Sequence, residues 1–407
     1  MLTLNIHSPL FISFEIIYDC NNYCTGCINE LSFSRRRESS TANWKAIIDA
    51  VSGSAANVRI TGGEPTLHPE IAEIVTYLEH KGVPFVIFSH GRLKTIQRVL
   101  PALRHAAHFW GFLISMHGRT AATHEHFTNV KHSYEQMLEG LAAIRQLRLP
   151  FFTTTVIRDE IVDDIPALVE FARRLGAQTI NFNRYLGAPD SRIVVTEKHL
   201  RRAIREVERL RKEDGYPAFI GNCIPQCFEE HEYPEYQING LTNCTIDPEG
   251  NVRAGHHPEI FGNVLKQSLE SIWRSAQLDR YLDDTPAMCK NCVYAYTCPG
   301  GSRALANKLG LAHDPLITAP IRHSREKDLS LPTDRTVRLN KYTQVRAEDF
   351  GSIIYDLNTM YPLSAPPEVI AELFNTGQTI GELAEHQGAA ILDLLANLYD
   401  SGLAEIR

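Results

Sequence analysis

The sequence predicts an α/β protein that opens with a parallel array of strands and helices. A small cysteine-rich α+β domain and a compact C-terminal module follow. Three observations predict this organisation: short apolar strands alternate with amphipathic helices in the first half, cysteines are concentrated at three places, and a separate strand-and-helix pattern occupies the C-terminal end. Three units of this size agree with a chain of 407 residues, because domains average roughly 150 residues.

The first half contains six predicted strands that are apolar on both faces, which is typical of a parallel sheet covered on both sides. Amphipathic helices are predicted between them, and the β-then-α order implies a right-handed parallel array, either an open barrel or a doubly wound sheet. The strands are Phe11–Asp19, Asn57–Thr61, Pro84–Ser89, Trp110–Ser115, Phe151–Ile157 and Thr179–Asn183, and the helices are Pro69–Lys81, His132–Leu147, Val162–Leu175 and Glu197–Lys212.

Composition excludes several classes of protein. The 41 Lys and Arg against 48 Asp and Glu give a net charge of −7, which argues against a generally basic nucleic-acid binder. Apolar runs stay short of the ~20 residues that span a bilayer, and residues 1–20 have neither the basic start nor the cleavage site of a signal peptide. We therefore expect a cytoplasmic protein without a membrane or nucleic-acid partner. Nine cysteines in such a protein call for a metal, cluster or redox explanation.

The first cysteine group, Cys20, Cys24 and Cys27, has CxxxCxxC spacing and directly follows the first strand. Active sites of parallel α/β folds lie at this end of the strands. Three thiolates can hold three irons of a 4Fe–4S cube and leave the fourth iron open for chemistry. A zinc site with a distant fourth ligand is the alternative that this spacing leaves open.

A second motif, Gly62-Gly63-Glu64-Pro65, follows the second strand and falls at the same end of the sheet. Glycines permit a tight turn and the close approach of a ligand to the backbone. A carboxylate at this place can hold an ammonium group. A plain connection between strand and helix is the alternative.

Together the two motifs resemble the radical S-adenosylmethionine (radical SAM) family, and the resemblance covers residues 1–215. It implies a partial (β/α)6 TIM-type barrel in which Cys20, Cys24 and Cys27 bind the 4Fe–4S cluster. The open iron would chelate SAM, with Gly62, Gly63, Glu64 and Pro65 along its methionine end. An electron from a donor such as flavodoxin or ferredoxin would cleave SAM, and the 5′-deoxyadenosyl radical would abstract a substrate hydrogen.

The resemblance continues with departures at the end of the fourth strand. Ser115 corresponds to a serine that contacts SAM, and the neighbouring His117 is a weak candidate for a catalytic acid, with a polar wall residue as its other interpretation. Thr128 stands near the position of an arginine that is common in the family. Gly26 replaces the aromatic residue that usually precedes the third cysteine, so the expected contact with adenine is weakened.

The second cysteine layer falls in residues 216–322 and contains Cys289, Cys292 and Cys298 with CxxCx5C spacing. It resembles the SPASM and twitch extensions of radical SAM enzymes, which hold auxiliary clusters. Gly255 and Ser302 stand where the family pattern continues with cysteines, so we expect one auxiliary 4Fe–4S cluster. The candidates for its fourth ligand are Cys244, Cys227 and Cys223, with His256 and His257 as weaker ones, and the alternatives are zinc or a domain without a metal.

For the C-terminal end the sequence predicts a linker, residues 323–336, followed by a winged-helix-like module, residues 337–407. The helix Thr379–His386 begins with a capping-box pattern, because Glu382 stands three residues after Thr379. The module's other predicted elements are strands Val337–Arg346, Gly351–Leu357 and Leu403–Ile406 and helices Pro366–Asn375 and Gly388–Ser401.

This module resembles the PqqD-like domain, the recognition element of enzymes that modify ribosomally made peptides. The resemblance lies in residues 349–356, 379–384 and 398–403. It implies that a precursor's leader peptide adds as a strand beside the third strand of the wing and helix Gly388–Ser401. Residues 366–401 contain six acids and neither Lys nor Arg, which argues against a DNA-binding winged helix. A structural cap on the barrel is the remaining alternative.

The sequence therefore predicts a radical SAM maturase that binds a precursor peptide by its leader and modifies the core peptide by hydrogen abstraction. Two other functions stay open at this point. One is a radical SAM enzyme acting on a small metabolite, and the other is a non-catalytic, metal-stapled peptide-binding scaffold.

Overall fold

We describe the protein from a computed structural model. The structure describes residues 6–28, 40–53, 57–187, 193–221, 224–229, 242–295, 298, 300–322, 331–340, 343–349, 351–356, 363–365, 377–388, 390–400 and 403–407. No helix in these ranges is long and apolar enough to cross a membrane.

The first unit is an open parallel sheet whose strands are hydrogen-bonded in chain order, with helices between them. Each strand is almost fully buried, as the apolar runs predict. The strands are β1 (Phe11–Ile17), β2 (Asn57–Gly62), β3 (Phe85–Ser89), β4 (Phe109–Ser115), β5 (Phe151–Val156), β6 (Ile180–Asn183) and β7 (Ala218–Ile220). The helices are α1 (Thr41–Val51), α2 (Ile71–His80), α3 (Leu93–Ile96), α4 (Leu100–Leu103), α5 (Ala121–Thr128), α6 (Ser133–Gln146), α7 (Ile165–Leu175) and α8 (Glu197–Asp214).

The cysteine-rich domain continues this sheet instead of forming a separate one. Its strand β8 (Asn243–Ile246) pairs in parallel with β1, and β9 (Asn251–Arg253) and β10 (Ile260–Asn263) extend the sheet in antiparallel fashion to ten strands. Helices α9 (Leu269–Trp273), α10 (Ala276–Asp283) and α11 (Arg303–Leu309) follow. The two domains therefore share one hydrophobic core.

The C-terminal module has a core of its own around Ile380, Leu395 and Leu398. One sheet pairs β11 (Val337–Leu339) with β15 (Ala404–Ile406), and a second has the order β12 (Thr343–Glu348), β13 (Gly351–Asp356), β14 (Leu363–Ala365). Helices α12 (Ile380–Gln387) and α13 (Ala390–Asp400) complete the described part.

The module is seated at the amino-terminal end of β1, opposite to the end that leads to the cysteine loop. Tyr355 on β13 packs edge-on against Phe11, the first residue of β1, with ring centroids 5.8 Å apart. Arg346 on β12 donates to the carbonyls of Ser8 and Pro9, at 2.7 and 3.4 Å. These contacts join the module to the base of the barrel.

The predicted α/β architecture is confirmed, with two differences in its elements. The segment Val337–Arg346, predicted as one strand, is two strands in different sheets, because β11 pairs with β15 while β12 pairs with β13. Several elements were not predicted, namely helices α1, α3, α4, α5, α9, α10 and α11 and strands β7, β10 and β14. The capping box of Thr379 and Glu382 is present, whereas the predicted helix Pro366–Asn375 lies outside the described residues.

Candidate functional site

The CxxxCxxC loop leaves the carboxyl end of β1 and is held by backbone hydrogen bonds to α5. The amides of Tyr23 and Thr25 donate to the carbonyls of Thr128 and Phe127, each at 2.9 Å. The side chain of Asn129, which ends α5 in the left-handed conformation, donates to the Tyr23 carbonyl at 2.7 Å. Thr128 therefore supports the cysteine loop through its backbone carbonyl.

His90 and Arg92, which follow β3, hold the start of the cysteine loop. The guanidinium of Arg92 donates to the carbonyl of Asn21 at 2.9 Å and to the side chain of Asn22 at 3.2 Å. A ring nitrogen of His90 lies 2.6 Å from Asn21 Oδ1. The sequence analysis assigned no role to Arg92, although its position just after the end of a strand could have suggested a place near the site.

The three thiols lie close enough to influence one another. Burial raises the pKa of Cys24 strongly, and the neighbouring thiols of Cys27 and Cys20 raise it further. Iron binding must therefore displace protons from this group. No three His, Cys, Asp or Glu side chains of the described residues converge on a point where one metal ion could sit. The ligands of a cube bind different irons and need not converge, so the three thiols fit a cluster.

The two glycines of the Gly62-Gly63-Glu64-Pro65 loop lie against the strand that leads into the cysteines. A Cβ at Gly62, whose φ is +127°, would come within 2.1 Å of the Ile17 carbonyl oxygen, and one at Gly63 within 2.2 Å of that of Asp19. The amides of Gly63 and Glu64 donate to these same carbonyls, at 2.6 and 2.8 Å. Glycine is required here because the two site loops are in direct backbone contact.

The buried carboxylate of Glu64 is surrounded by donors from its own chain. It accepts from Thr66 at its backbone amide (3.1 Å) and hydroxyl (2.5 Å), from the Ser89 hydroxyl (2.9 Å) and from the His90 amide (2.8 Å). Pro65 opens a short 3-10 turn directly behind it. In this arrangement Glu64 ties the ends of β2 and β3 together.

Tyr185, which follows β6, covers the loop at Gly26. A Cβ on Gly26 would lie 2.0 Å from Tyr185 Oη and 2.3 Å from its Cζ, so only glycine leaves room for this ring. An aromatic ring from a distant segment therefore lies against residue 26, where the family pattern has an aromatic residue of its own. A sequence pattern confined to the loop could not reveal it.

Ser115 ends β4 at the same edge of the sheet and is partly exposed. His117, two residues on, is buried against Phe127 with ring centroids 4.3 Å apart, and its Nδ1 lies 3.4 Å from the amide of Val156. Burial lowers the pKa of His117 well below its usual range. We assign no catalytic step to His117, because its ring is neutral and packed into the barrel wall.

The second cysteine group brings four thiols together. Burial raises the pKa of Cys289 to about 11, and the thiols of Cys298, Cys227 and Cys292 raise it as well. Cys227 lies in the 3-10 turn after β7, far along the chain from the other three. Backbone amides of Thr318 and Ile321 donate to the sulfurs of Cys227 and Cys292, at 3.5 and 3.4 Å.

The other candidate ligands are placed differently. Cys244 on β8 lies in the hydrophobic core, and burial alone raises its pKa, without a contribution from another thiol. Cys223 lies outside the described residues. Ser302 caps α11 by accepting from the amide of Leu305. His257 packs edge-on against Tyr281 with ring centroids 5.0 Å apart, and His256 approaches Glu15.

A buried ion pair connects the auxiliary cysteine domain to the barrel. Arg184, just after β6, donates both Nη atoms to Asp314, at 2.9 and 3.0 Å. The carboxylate of Asp314 also accepts from the backbone amides of Ser302 and Leu316, at 2.6 and 2.9 Å. Because both side chains are almost fully buried, this clamp fixes the segment after Cys298 against the barrel.

Comparisons with known proteins agree with this geometry. Residues 14–172 match the radical SAM superfamily, and residues 238–293 match the SPASM iron–sulfur cluster-binding domain. The chain is 26% identical over 321 residues to the AdoMet-dependent heme synthase of Methanosarcina barkeri, covering 72% of this chain and 91% of that protein. It is also 26% identical over 338 residues to the PqqA peptide cyclase of a Methylobacterium species, covering 78% and 87%.

The fold is shared with Streptococcus suis SuiB, crystallised with its precursor peptide SuiA. The TM-score is 0.62 at 15% identity, over 77% of this chain and 76% of that one. The resemblance that the motifs predict is thereby confirmed for the barrel and the auxiliary domain, and with it a 4Fe–4S cluster, SAM and an auxiliary cluster as cofactors. We conclude that this chain is an enzyme with a radical SAM domain and a SPASM iron–sulfur cluster-binding domain.

Proposed function

We propose that this enzyme is a maturase that binds a ribosomally made precursor peptide through its leader and modifies the core peptide by hydrogen abstraction. The likeness to a PqqA peptide cyclase supports a peptide substrate. The C-terminal module carries the proposal, because it has its own core and an antiparallel sheet beside a helix, the arrangement to which peptides add as strands.

Within the module, β14 and α13 are the proposed leader-binding elements. Among the described strands, β14 pairs with β13 on one side only, so its other edge offers backbone groups to a peptide. Leu395 and Leu398 of α13 belong to the same small core as Ala365 of β14, so the helix and the strand edge are neighbours. For a precursor bound here, main-chain hydrogen bonds would provide the affinity and side-chain pockets the specificity.

At the other end of the barrel, Cys20, Cys24 and Cys27 are the proposed ligands of the catalytic cluster. When bound, the cluster and SAM supply the electron and the 5′-deoxyadenosyl radical for hydrogen abstraction. The chain's own residues hold the site: Arg92 and Asn129 fix the cysteine loop. We propose that Gly62, Gly63, Glu64, Pro65 and Ser115 line SAM and that the Tyr185 ring replaces the aromatic contact missing at Gly26.

For the auxiliary cluster we propose Cys227, Cys289, Cys292 and Cys298 as ligands. Four thiols complete the coordination of a cube, which suits a role in electron transfer rather than in substrate binding at an open iron. The shared environment of the four thiols and the amides that point at two of the sulfurs support this set. Flavodoxin or ferredoxin is the proposed external electron donor.

A small metabolite is the second candidate substrate. The heme synthase of M. barkeri is as similar to this chain as the peptide cyclase is, at 26% identity. In that case the C-terminal module would act as a cap on the base of the barrel.

Deleting residues 337–407 separates the two candidates. We expect the truncated enzyme to lose binding of a candidate precursor peptide, chosen from any small open reading frames next to the gene and measured by fluorescence anisotropy with a labelled synthetic peptide. Reductive SAM cleavage measures whether the barrel is still intact, because the module lies at the opposite end from the cysteine loop. Unchanged peptide binding after deletion would contradict leader recognition by the module.

A further inference from the structure

A cluster of polar side chains lies inside the barrel, where β8 and β9 of the auxiliary domain extend the sheet beside β1. Phe14 packs against Trp44 of α1, with ring centroids 5.3 Å apart, so it faces the helices. Its neighbour Glu15 therefore faces the interior, because successive side chains of a strand alternate. Arg253, from β9, reaches Glu15 across the intervening strand β8.

The Glu15 carboxylate is only half satisfied. Its Oε2 forms an ion pair with Arg253 and accepts from the Tyr18 hydroxyl at 3.2 Å. Its Oε1 is buried and has no hydrogen-bond partner in the part of the chain that the structure describes. His256 Nδ1, likewise buried and unpartnered there, lies 3.7 Å from Oε1.

Two unpartnered polar atoms facing each other inside a protein are costly unless something binds them. Leaving a buried acceptor without a hydrogen bond destabilises the folded protein, and more strongly when the acceptor is charged. Burial, helped by the charge of Arg253, lowers the pKa of His256 to about 4, so its ring is neutral near pH 7. Arg253 lies against Glu15, but burial has the larger effect and raises the pKa of the Glu15 carboxyl. The open position therefore suits a neutral group that donates a hydrogen bond.

The cluster is also placed where a substrate must come. Glu15 is two residues before Ile17, whose carbonyl accepts from the Gly63 amide of the loop proposed to line SAM. His256 and Arg253 belong to the auxiliary domain and approach from the other side. His256 keeps 26% of its side chain exposed, so its ring borders accessible space.

We propose that Glu15, Arg253 and His256 form a substrate-positioning site that takes a neutral hydrogen-bond donor, a hydroxyl or carboxamide, of the core peptide. Glu15 Oε1 and His256 Nδ1 are the acceptors, and Arg253 holds the carboxylate in place. This assignment rests on the proposed maturase function and adds the class of side chain that the barrel recognises. The two domains that are expected to carry the clusters thus also contribute the residues of this site.

The test compares His256→Phe, His256→Asn and the control His257→Phe in the full-length, cluster-loaded enzyme. The probes are a synthetic candidate precursor peptide that the wild-type enzyme binds, and versions of it with each core Ser, Thr, Asn or Gln changed to Ala. His257 is a matched control because it is the same residue type, one position on, and packs against Tyr281 instead of Glu15.

We expect His256→Phe to raise the KM for the peptide about tenfold or more, the size of a lost buried hydrogen bond. It should also raise the amount of 5′-deoxyadenosine released per modified peptide, because SAM cleavage then leads less often to modification of a loosely held peptide. His256→Asn, which keeps an acceptor, should recover part of the loss, and His257→Phe should match wild type. One Ala-substituted peptide should show the higher KM with wild type and no further increase with His256→Phe.

Equal KM values for His256→Phe and wild type, or equal losses in His256→Phe and His257→Phe, would overturn the positioning site while leaving the maturase proposal standing. A second variant, Glu15→Gln, guards against a folding artefact, since it changes the acceptor from the barrel side. If the wild-type enzyme cleaves SAM but neither binds nor modifies the peptide, the proposed function itself fails, and the positioning site fails with it.

Discussion

The two cysteine groups of this protein are built in opposite ways. Cys20, Cys24 and Cys27 lie on one short loop after β1, and backbone carbonyls of α5 together with the side chains of Arg92 and Asn129 hold that loop. The auxiliary group joins Cys227, after β7, to three cysteines some sixty residues or more further along the chain. The first is a local motif that the fold supports, whereas the second exists only after segments distant in the chain have come together.

This difference decides what a sequence can reveal. Spacing alone identifies the first group, because every proposed ligand is within eight residues of the others. Spacing identifies three proposed ligands of the second group but leaves its fourth open among Cys223, Cys227 and Cys244. The structure distinguishes Cys227 from Cys244 by burial and neighbours, which are properties of the fold.

The largest expected effect tests whether the two groups are independent. Cys24→Ala should abolish reductive SAM cleavage and remove the barrel cluster, because three thiolates are the fewest that hold a cube with one open iron. Absorbance and iron content from the auxiliary cluster should persist, measured on anaerobically reconstituted protein. Loss of all iron in this variant would show that the two sites assemble as one.

The next test compares two cysteines of the auxiliary domain, the half-buried Cys227 and the buried Cys244. Cys227→Ala should lose most of the auxiliary cluster, measured as iron and sulfide in a background that already carries Cys24→Ala. Cys244→Ala in the same background should keep it, since Cys244 packs among apolar residues of the shared core. The opposite result would return Cys244 to the ligand set and contradict the grouping seen here.

The clamp between the domains is expected to matter for stability. Arg184→Met leaves the buried carboxylate of Asp314 without its cation, which costs about 3–5 kcal/mol for a buried pair. The melting temperature should fall, and the auxiliary cluster should be released earlier on heating than the barrel cluster. The matched control is Arg209→Met, which removes an exposed ion pair on α8 and should melt with wild type. Equal melting of both variants would show that the clamp does not support the second site.

The smallest expected effect is on the pH dependence of stability, and it comes from buried histidines in and next to α5, the helix that holds the loop of Cys20, Cys24 and Cys27. Burial lowers the pKa of His124 to about 3, and that of the adjacent His117 is also lowered. Below about pH 6.5 the unfolded chain therefore binds protons that the folded chain does not, so stability is present above that pH and declines as pH falls towards 3.

Each buried histidine contributes at most about 1.4 kcal/mol of lost stability per pH unit. We expect His124→Gln to flatten the decline of the melting temperature between pH 7.5 and 5.5. The surface variant His105→Gln should keep the wild-type slope. A wild-type melting temperature that does not change across this range would contradict the buried, neutral state of these rings.

Much of the fold could be predicted because its signals are local. The six barrel strands follow from apolar runs, and α12 follows from its capping box. Contacts between distant segments could not be predicted. Examples are the Tyr185 ring over Gly26, the hold of Arg92 on the cysteine loop, and the division of Val337–Arg346, where β11 is drawn away by pairing with the last strand.

The seat of the C-terminal module at the base of the barrel sets a minimum length for any ligand that engages both ends. β1 alone separates Phe11 from the cysteine loop by seven residues, or about 23 Å at roughly 3.3 Å per residue. A polypeptide anchored on the module must travel around the outside of the barrel to react at its mouth. Its anchoring sequence and its reacting residue must therefore be separated by a tether of at least about seven extended residues, and shortening that tether should stop the reaction without weakening the anchor.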